Sequence, residues 1–132
     1  PTKKPKKTVP LQQQQFLVLQ HKGTIYLEKR PPTGLWGGLW CLPTLDLESC
    51  PLEFIKEQYA LQGEQPQEII SFKHQFSHFH LDIKALSIEV KSKARKVCEL
   101  QGKWLKMSEL SDIGLAKPTS LIISKLRNNS LA

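Results

Sequence analysis

Between His80 and Val90 the apolar side chains change sides: Leu81, Ile83 and Ala85 alternate on one parity, and Leu86, Ile88 and Val90 continue on the other. Alternation with a period of two marks a β-strand, and a one-residue shift of phase means either a bulge or burial of the strand on both faces. Both outcomes call for a sheet. Phe16-Leu17-Val18-Leu19 and Thr24-Ile25-Tyr26-Leu27 add two more strands, flanking Gln20-His21-Lys22-Gly23, a polar link ending in glycine as in a β-hairpin. Glu68 to His74 reads as a further strand, and Trp104-Leu105-Lys106-Met107 as a short last one.

Two segments carry helical spacing. Pro51 can open a helix at its first turn, and Leu52, Ile55 and Tyr59 recur at i, i+3 and i+7 until Gly63 stops it. Pro118 starts a closing helix whose Leu121, Ile122 and Leu126, with Ile123 beside them, are expected to face the core. Earlier, the chain breaks at Arg30-Pro31-Pro32-Thr33-Gly34. Leu35-Trp36-Gly37-Gly38-Leu39-Trp40 follows, where two glycines let backbone and ring pack closely, before Cys41-Leu42-Pro43 ends the run. Strands interleaved with two helices predict an α+β fold, a mixed sheet with helices packed on its faces. At 132 residues and 39% apolar content the chain fits one core. Residues 1–10, PTKKPKKTVP, have almost nothing to pack and read as a lysine-rich interdomain linker, leaving 11–132 as the domain.

Charge and cysteine content narrow the setting. Of the net charge of +7, Lys3, Lys4, Lys6 and Lys7 carry four units, and Lys91, Lys93, Arg95 and Lys96 form a second basic run. Such runs can neutralise phosphates and release counterions, so these lysines are candidate phosphate contacts; the plain alternative is a solvated tail and a polar loop. Three widely spaced cysteines, Cys41, Cys50 and Cys98, argue against a disulfide framework and suit a reducing, intracellular compartment. No apolar run approaches the roughly 20 residues of a membrane span.

The segment Gln75-Phe76-Ser77-His78-Phe79 lies between two strands yet lacks the Gly, Asn, Asp or Pro residues of a tight turn. Phe76 can wedge or stack against a base, and the Ser77 hydroxyl offers one donor and two acceptor lone pairs. The competing reading lets the strands run on, with Phe76 and Phe79 in the core. Zinc ligation by His74, His78 and His80 fails for want of a fourth ligand, so no metal is expected.

The run His74-Gln75-Phe76-Ser77-His78-Phe79-His80-Leu81-Asp82-Ile83, with Arg30-Pro31-Pro32-Thr33-Gly34-Leu35-Trp36-Gly37-Gly38-Leu39-Trp40, resembles the C-terminal domain of the MutY adenine DNA glycosylases. The likeness extends over nearly the whole chain. It implies a Nudix-like fold used to sense 8-oxoguanine opposite adenine, with Phe76, Ser77 and His78 meeting the lesion. It also implies a separate N-terminal catalytic domain, carrying an iron–sulfur cluster, that hydrolyses the glycosidic bond of adenine. The expected partners are duplex DNA with 8-oxoguanine:adenine mispairs and that catalytic domain. The fragment itself is expected to be monomeric, without catalytic residues or a cofactor.

A Nudix-like fold raises a rival, a pyrophosphohydrolase acting on oxidised nucleotides, which needs clustered glutamates on the helix after the Gly-Gly segment to hold magnesium. With the helix aligned on Pro51, those positions fall on Gln58, Leu61 and Gln62, and Glu53 and Glu57 stand as isolated acids. A protein-interaction domain, docking through the Lys91 to Lys96 loop or exposed tryptophans, is the third possibility.

Overall fold

Strand β1 (Leu11–His21) organises the fold, because Phe16, Leu17, Val18 and Leu19 are all fully buried and a strand can bury consecutive residues only when both its faces are covered. In the computed structural model, residues 11–75, 79–91 and 102–130 are described. The sequence readings at Lys3, Lys4, Lys6, Lys7, Phe76, Ser77, His78, Lys93, Arg95, Lys96 and Cys98 lie outside them.

From β1 the chain turns through Lys22 and Gly23, at φ 45° and 80°, into β2 (Thr24–Lys29). Positive φ at both turn residues gives a twist that matches the strands, so two residues suffice. The predicted four-residue link is corrected accordingly: Gln20 and His21 belong to β1 and pair with Ile25 and Thr24. A loop then leads to β3 (Trp40–Cys41) and β4 (Thr44–Asp46). Within that loop a Cβ on Gly37 would sit 2.5 Å from the Pro32 carbonyl oxygen, so only glycine permits the close backbone approach.

After helix α1 (Pro51–Tyr59) come β5 (Gln67–Gln75), β6 (His80–Glu89) and β7 (Gly102–Lys106), then a 3-10 helix (Met107–Asp112) and helix α2 (Lys117–Ser130). The seven-stranded sheet has the order β3-β2-β1-β6-β5, with β4 paired to β1 and β7 to β2. Strands β1 and β6 run parallel, from Leu11 beside His80 to Gln20 beside Glu89, and the other pairs are antiparallel. This is the mixed sheet with helices on both faces that the sequence predicts.

The phase shift in β6 has a specific cause. Leu81, Ile83 and Ala85 join Phe16, Val18 and the α2 residues Ile122 and Ile123 in one apolar cluster. Leu86, Ile88 and Val90 join Leu17, Leu19 and the α1 residues Ile55 and Tyr59 in a second cluster. The two helices therefore cover opposite faces over different lengths of the strand, in a diagonal arrangement. The β1–β6 register is continuous through the shift, and the one irregularity beside β6 lies on β5, between Glu68 and Ile70. Burial on both faces, not a bulge in β6, explains the pattern.

Three sequence expectations need correction. Helix α1 stops at Tyr59, not Gly63, because Ala60 takes the left-handed conformation (φ 58°) and its N–H caps the Lys56 carbonyl. Gly63 instead provides room, since a Cβ there would lie 2.5 Å from Ile88 Cγ2. Leu121 is 41% exposed, and Thr119 takes its place inside α2: its buried hydroxyl accepts from the Leu42 N–H at 3.2 Å. Met107 opens the 3-10 helix after β7, where the Glu109 carboxylate accepts from the Lys106 N–H at 2.7 Å.

Candidate functional site

Among the described residues, polar chemistry gathers in a cleft over α1 and at the end of the β5–β6 ladder. The cleft, about 270 Å³, lies between β2, the segment 41–44 and α1, and is lined by Glu28, Arg30, Cys41, Leu42, Thr44, Phe54, Gln58 and Tyr59. Strand alternation turns Tyr26 and Glu28 to the same side of β2, and α1 brings Tyr59 onto them. The Tyr59 hydroxyl donates to Glu28 Oε2, and the Tyr26 hydroxyl donates to the same oxygen at 3.3 Å. The two tyrosine rings meet edge to face with centroids 5.1 Å apart.

Burial raises the Glu28 carboxyl above its ordinary range and outweighs the lowering by the two tyrosine hydrogen bonds and Arg30. Burial, reinforced by the charge of Glu28, likewise holds both tyrosine hydroxyls well above their usual value, so they remain donors. The Cys41 thiol is pushed up by burial as well, which makes it a protonated core group rather than a nucleophile.

These residues do not fit the divalent ion that a hydrolytic Nudix site requires. Gln58 offers a neutral amide, Leu61 is 1% exposed within the second apolar cluster, and Gln62 lies beyond the end of the helix. The cleft's own acid, Glu28, is occupied by two hydroxyl donors. Among the described residues no three His, Cys, Asp or Glu side chains converge as metal ligands.

At the other place, Gln75 and His80 form the last cross-strand pair of β5 and β6. Phe76, Ser77 and His78, between them in sequence, are outside the described residues. Phe79 is half-buried against the first apolar cluster. His74 pairs with Leu81 and His80 with Gln75, so the two histidines occupy opposite faces of the ladder and cannot meet at one ion. Lys91, the described member of the second basic run, is exposed.

The tryptophans read as an exposed docking surface are half-buried: Trp36 and Trp40 pack on the first cluster, and Trp36 meets Phe16 edge to face at 6.1 Å. Sequence reasoning also missed the Tyr26–Glu28–Tyr59 cluster. Its one visible signal is a glutamate directly after the apolar run of β2. Among the described residues no helix is long and apolar enough to cross a membrane.

The fold is a Nudix-type scaffold, and its cleft holds the Gln58 amide and a Glu28 carboxylate clamped by two tyrosine hydroxyls. The chain belongs to the NUDIX domain family, which matches residues 14–125. It is similar to the adenine DNA glycosylase of Buchnera aphidicola subsp. Schizaphis graminum, with 29% identity over 93% of this chain and 36% of the relative. Its similarity to the adenine DNA glycosylase of Buchnera aphidicola subsp. Acyrthosiphon pisum is 28% identity over 98% of this chain and 37% of the relative. The chain thus spans a little over a third of these relatives' length. In fold it is similar to the C-terminal domain of mouse MUTYH, solved in complex with human PCNA, at a TM-score of 0.71 and 17% identity, covering 92% of this chain and 90% of the other. A MutT NUDIX hydrolase from Burkholderia pseudomallei gives 0.68 and 17%, covering 87% and 97%.

Proposed function

We propose that this chain is the lesion-recognition module of an adenine DNA glycosylase, non-catalytic by itself, that reads 8-oxoguanine opposite adenine in duplex DNA. The observation that carries this reading is the state of the cleft. Where a hydrolytic relative needs carboxylates for a metal and a diphosphate, this cleft offers the Gln58 amide and a tyrosine-clamped Glu28. The glycosylase relatives, which share most of this chain's length, support recognition rather than hydrolysis as its use.

In this reading Phe76, Ser77 and His78 meet the lesion, and Lys3, Lys4, Lys6 and Lys7 contact phosphates. Guanine offers N7 and O6 as major-groove acceptors, whereas oxidation at C8 turns N7 into an N–H donor and adds a carbonyl. The Ser77 hydroxyl can accept from the new N7–H and donate to a phosphate or to O8. Phe76 supplies stacking or wedging. The adenine is flipped into the separate catalytic domain, where the iron–sulfur cluster is also expected.

The test is competition binding by the glycosylase that carries this domain, using duplexes with guanine or 8-oxoguanine opposite an uncleavable adenine analogue. Ser77→Ala is expected to narrow the preference for the oxidised base by about fivefold, the worth of one hydrogen bond of roughly 1 kcal/mol. An unchanged preference in Ser77→Ala combined with Phe76→Ala overturns the proposal. A domain that serves only for protein docking is the second reading, favoured by the PCNA complex of the mouse neighbour. Such a domain would ignore the atom at C8.

A further inference from the structure

Among the described residues, the diagonal packing of the two helices leaves one quadrant of the sheet without a helix. Near the β5–β6 connection, the face turned away from α2 carries Ser71, Lys73 and Gln75 on β5, register-paired with Lys84, Asp82 and His80 on β6. On β1, Gln13 stands beside Asp82. The face assignment follows from the pleat: these residues alternate with Phe72, Leu81 and Ile83, which belong to the α2 cluster, and they share parity with Leu86 and Ile88, which lie under α1. Gln13, Ser71, Lys73, Gln75 and Lys84 are exposed.

From this we infer that the polar quadrant binds the sugar-phosphate backbone of the strand carrying the lesion, with Lys73 and Lys84 as the phosphate contacts. The inference rests on the functional reading above. Two arguments select a nucleic-acid occupant over a protein one. The quadrant is lined by long amide and ammonium groups without an apolar centre, which suits a wet, anionic backbone and not the apolar core of a protein interface. It also reaches the Gln75–His80 pair, the last described pair of β5 and β6, next in sequence to the residues of the proposed lesion contact.

The spacing agrees. Lys73 pairs with Asp82 and Ser71 with Lys84, so the two lysines are diagonal neighbours roughly 7–8 Å apart at the backbone. Their side chains can therefore reach different phosphates of one strand. Half-buried Asp82, opposite Lys73, offsets part of this charge and keeps the quadrant from binding any polyanion strongly.

The test uses the glycosylase carrying this domain, with Lys73→Gln and Lys84→Gln combined, in the same binding assay at several salt concentrations. Both lysines are exposed, so folding is not at stake, and unchanged thermal unfolding documents that. Affinity for guanine and 8-oxoguanine duplexes is expected to fall by one common factor, and the slope of log affinity against log salt to decrease by about 1.8, from two phosphates at about 0.9 each. The advantage of the wild-type protein over the variant should then shrink roughly tenfold between about 50 and 200 mM salt. An unchanged slope, or a change in base preference in place of overall affinity, overturns the inference. If Ser77→Ala still erodes the preference in that case, the functional reading survives; if it does not, the reading itself has failed.

Discussion

Tyr59→Phe isolates one hydrogen bond in the cleft while keeping the ring that packs against Tyr26 and Phe54. In the native protein Glu28 Oε2 accepts from two hydroxyls; the variant leaves only Tyr26, at 3.3 Å. A hydrogen bond to a charged group contributes about 1.5–3 kcal/mol, and because Glu28 is half-buried the lower end applies, about 1.5–2 kcal/mol. With an unfolding entropy of roughly 2 cal/mol/K per residue, that corresponds to a melting point lower by about 5–7 °C.

The loss should also depend on pH. Burial raises the carboxyl in the folded state, so across the window between its ordinary value and the folded one the native chain holds a proton that the unfolded chain has released. Stability from this group is therefore complete on the acid side and declines as pH rises through the folded value. The Tyr59 hydroxyl stabilises the ionised form more than the protonated one, which restrains that decline. Its removal must accordingly cost more at high pH than at low. Urea unfolding at about pH 5 and about pH 8 measures both effects. Equal stability of wild type and variant at the higher pH, or a larger loss at the lower one, would refute the reasoning.

Two further substitutions probe the packing around α1. Ala60→Gly relieves a left-handed residue at the helix end and is expected to stabilise the domain by about 0.5–1 kcal/mol in denaturant titration. Gly63→Ala forces a methyl group to within 2.5 Å of Ile88 Cγ2 and 3.0 Å of Ile55 Cδ1, and should destabilise by about 1–3 kcal/mol in the same titration.

Five of the seven strands and both helices were legible because their signals are local, whereas the short β3 and β4 were not foreseen. Alternation identified β6, consecutive apolar runs about a glycine link identified β1 and β2, and Pro51 and Pro118 mark the openings of α1 and α2 within a residue. What was not legible depends on which neighbour arrives. The parity change in β6 allowed two causes, and only the placement of α1 and α2 on opposite faces separates them. Gly63 looked like a helix stop because glycine favours that role, yet Ala60 accepts the strained conformation and Gly63 is needed for space. Leu121 fits the helical stripe as well as Ile122 does, but its position on α2 turns it outward.

The candidate site divides along the same line. That Gln58, Leu61 and Gln62 carry no carboxylate is plain in the sequence, but the helical register assumed for Leu61 and Gln62 ends at Tyr59. The Glu28 clamp could not be read there, because it joins residues from β2 and α1 whose meeting no local pattern announces. The open quadrant was equally hidden: Lys73 and Lys84 are unremarkable in sequence until the β5–β6 register makes them neighbours.

The central parallel pairing of β1 with β6 carries a consequence for biosynthesis. A strand that needs neighbours on both edges and cover on both faces cannot mature until His80 to Glu89 have left the ribosome, after β2, α1 and β5. High contact order of this kind slows folding, and Phe16 to Leu19 remain an unshielded hydrophobic segment in the nascent chain throughout that delay. The glutamines at positions 12–15, immediately upstream, give that waiting segment a hydrophilic flank.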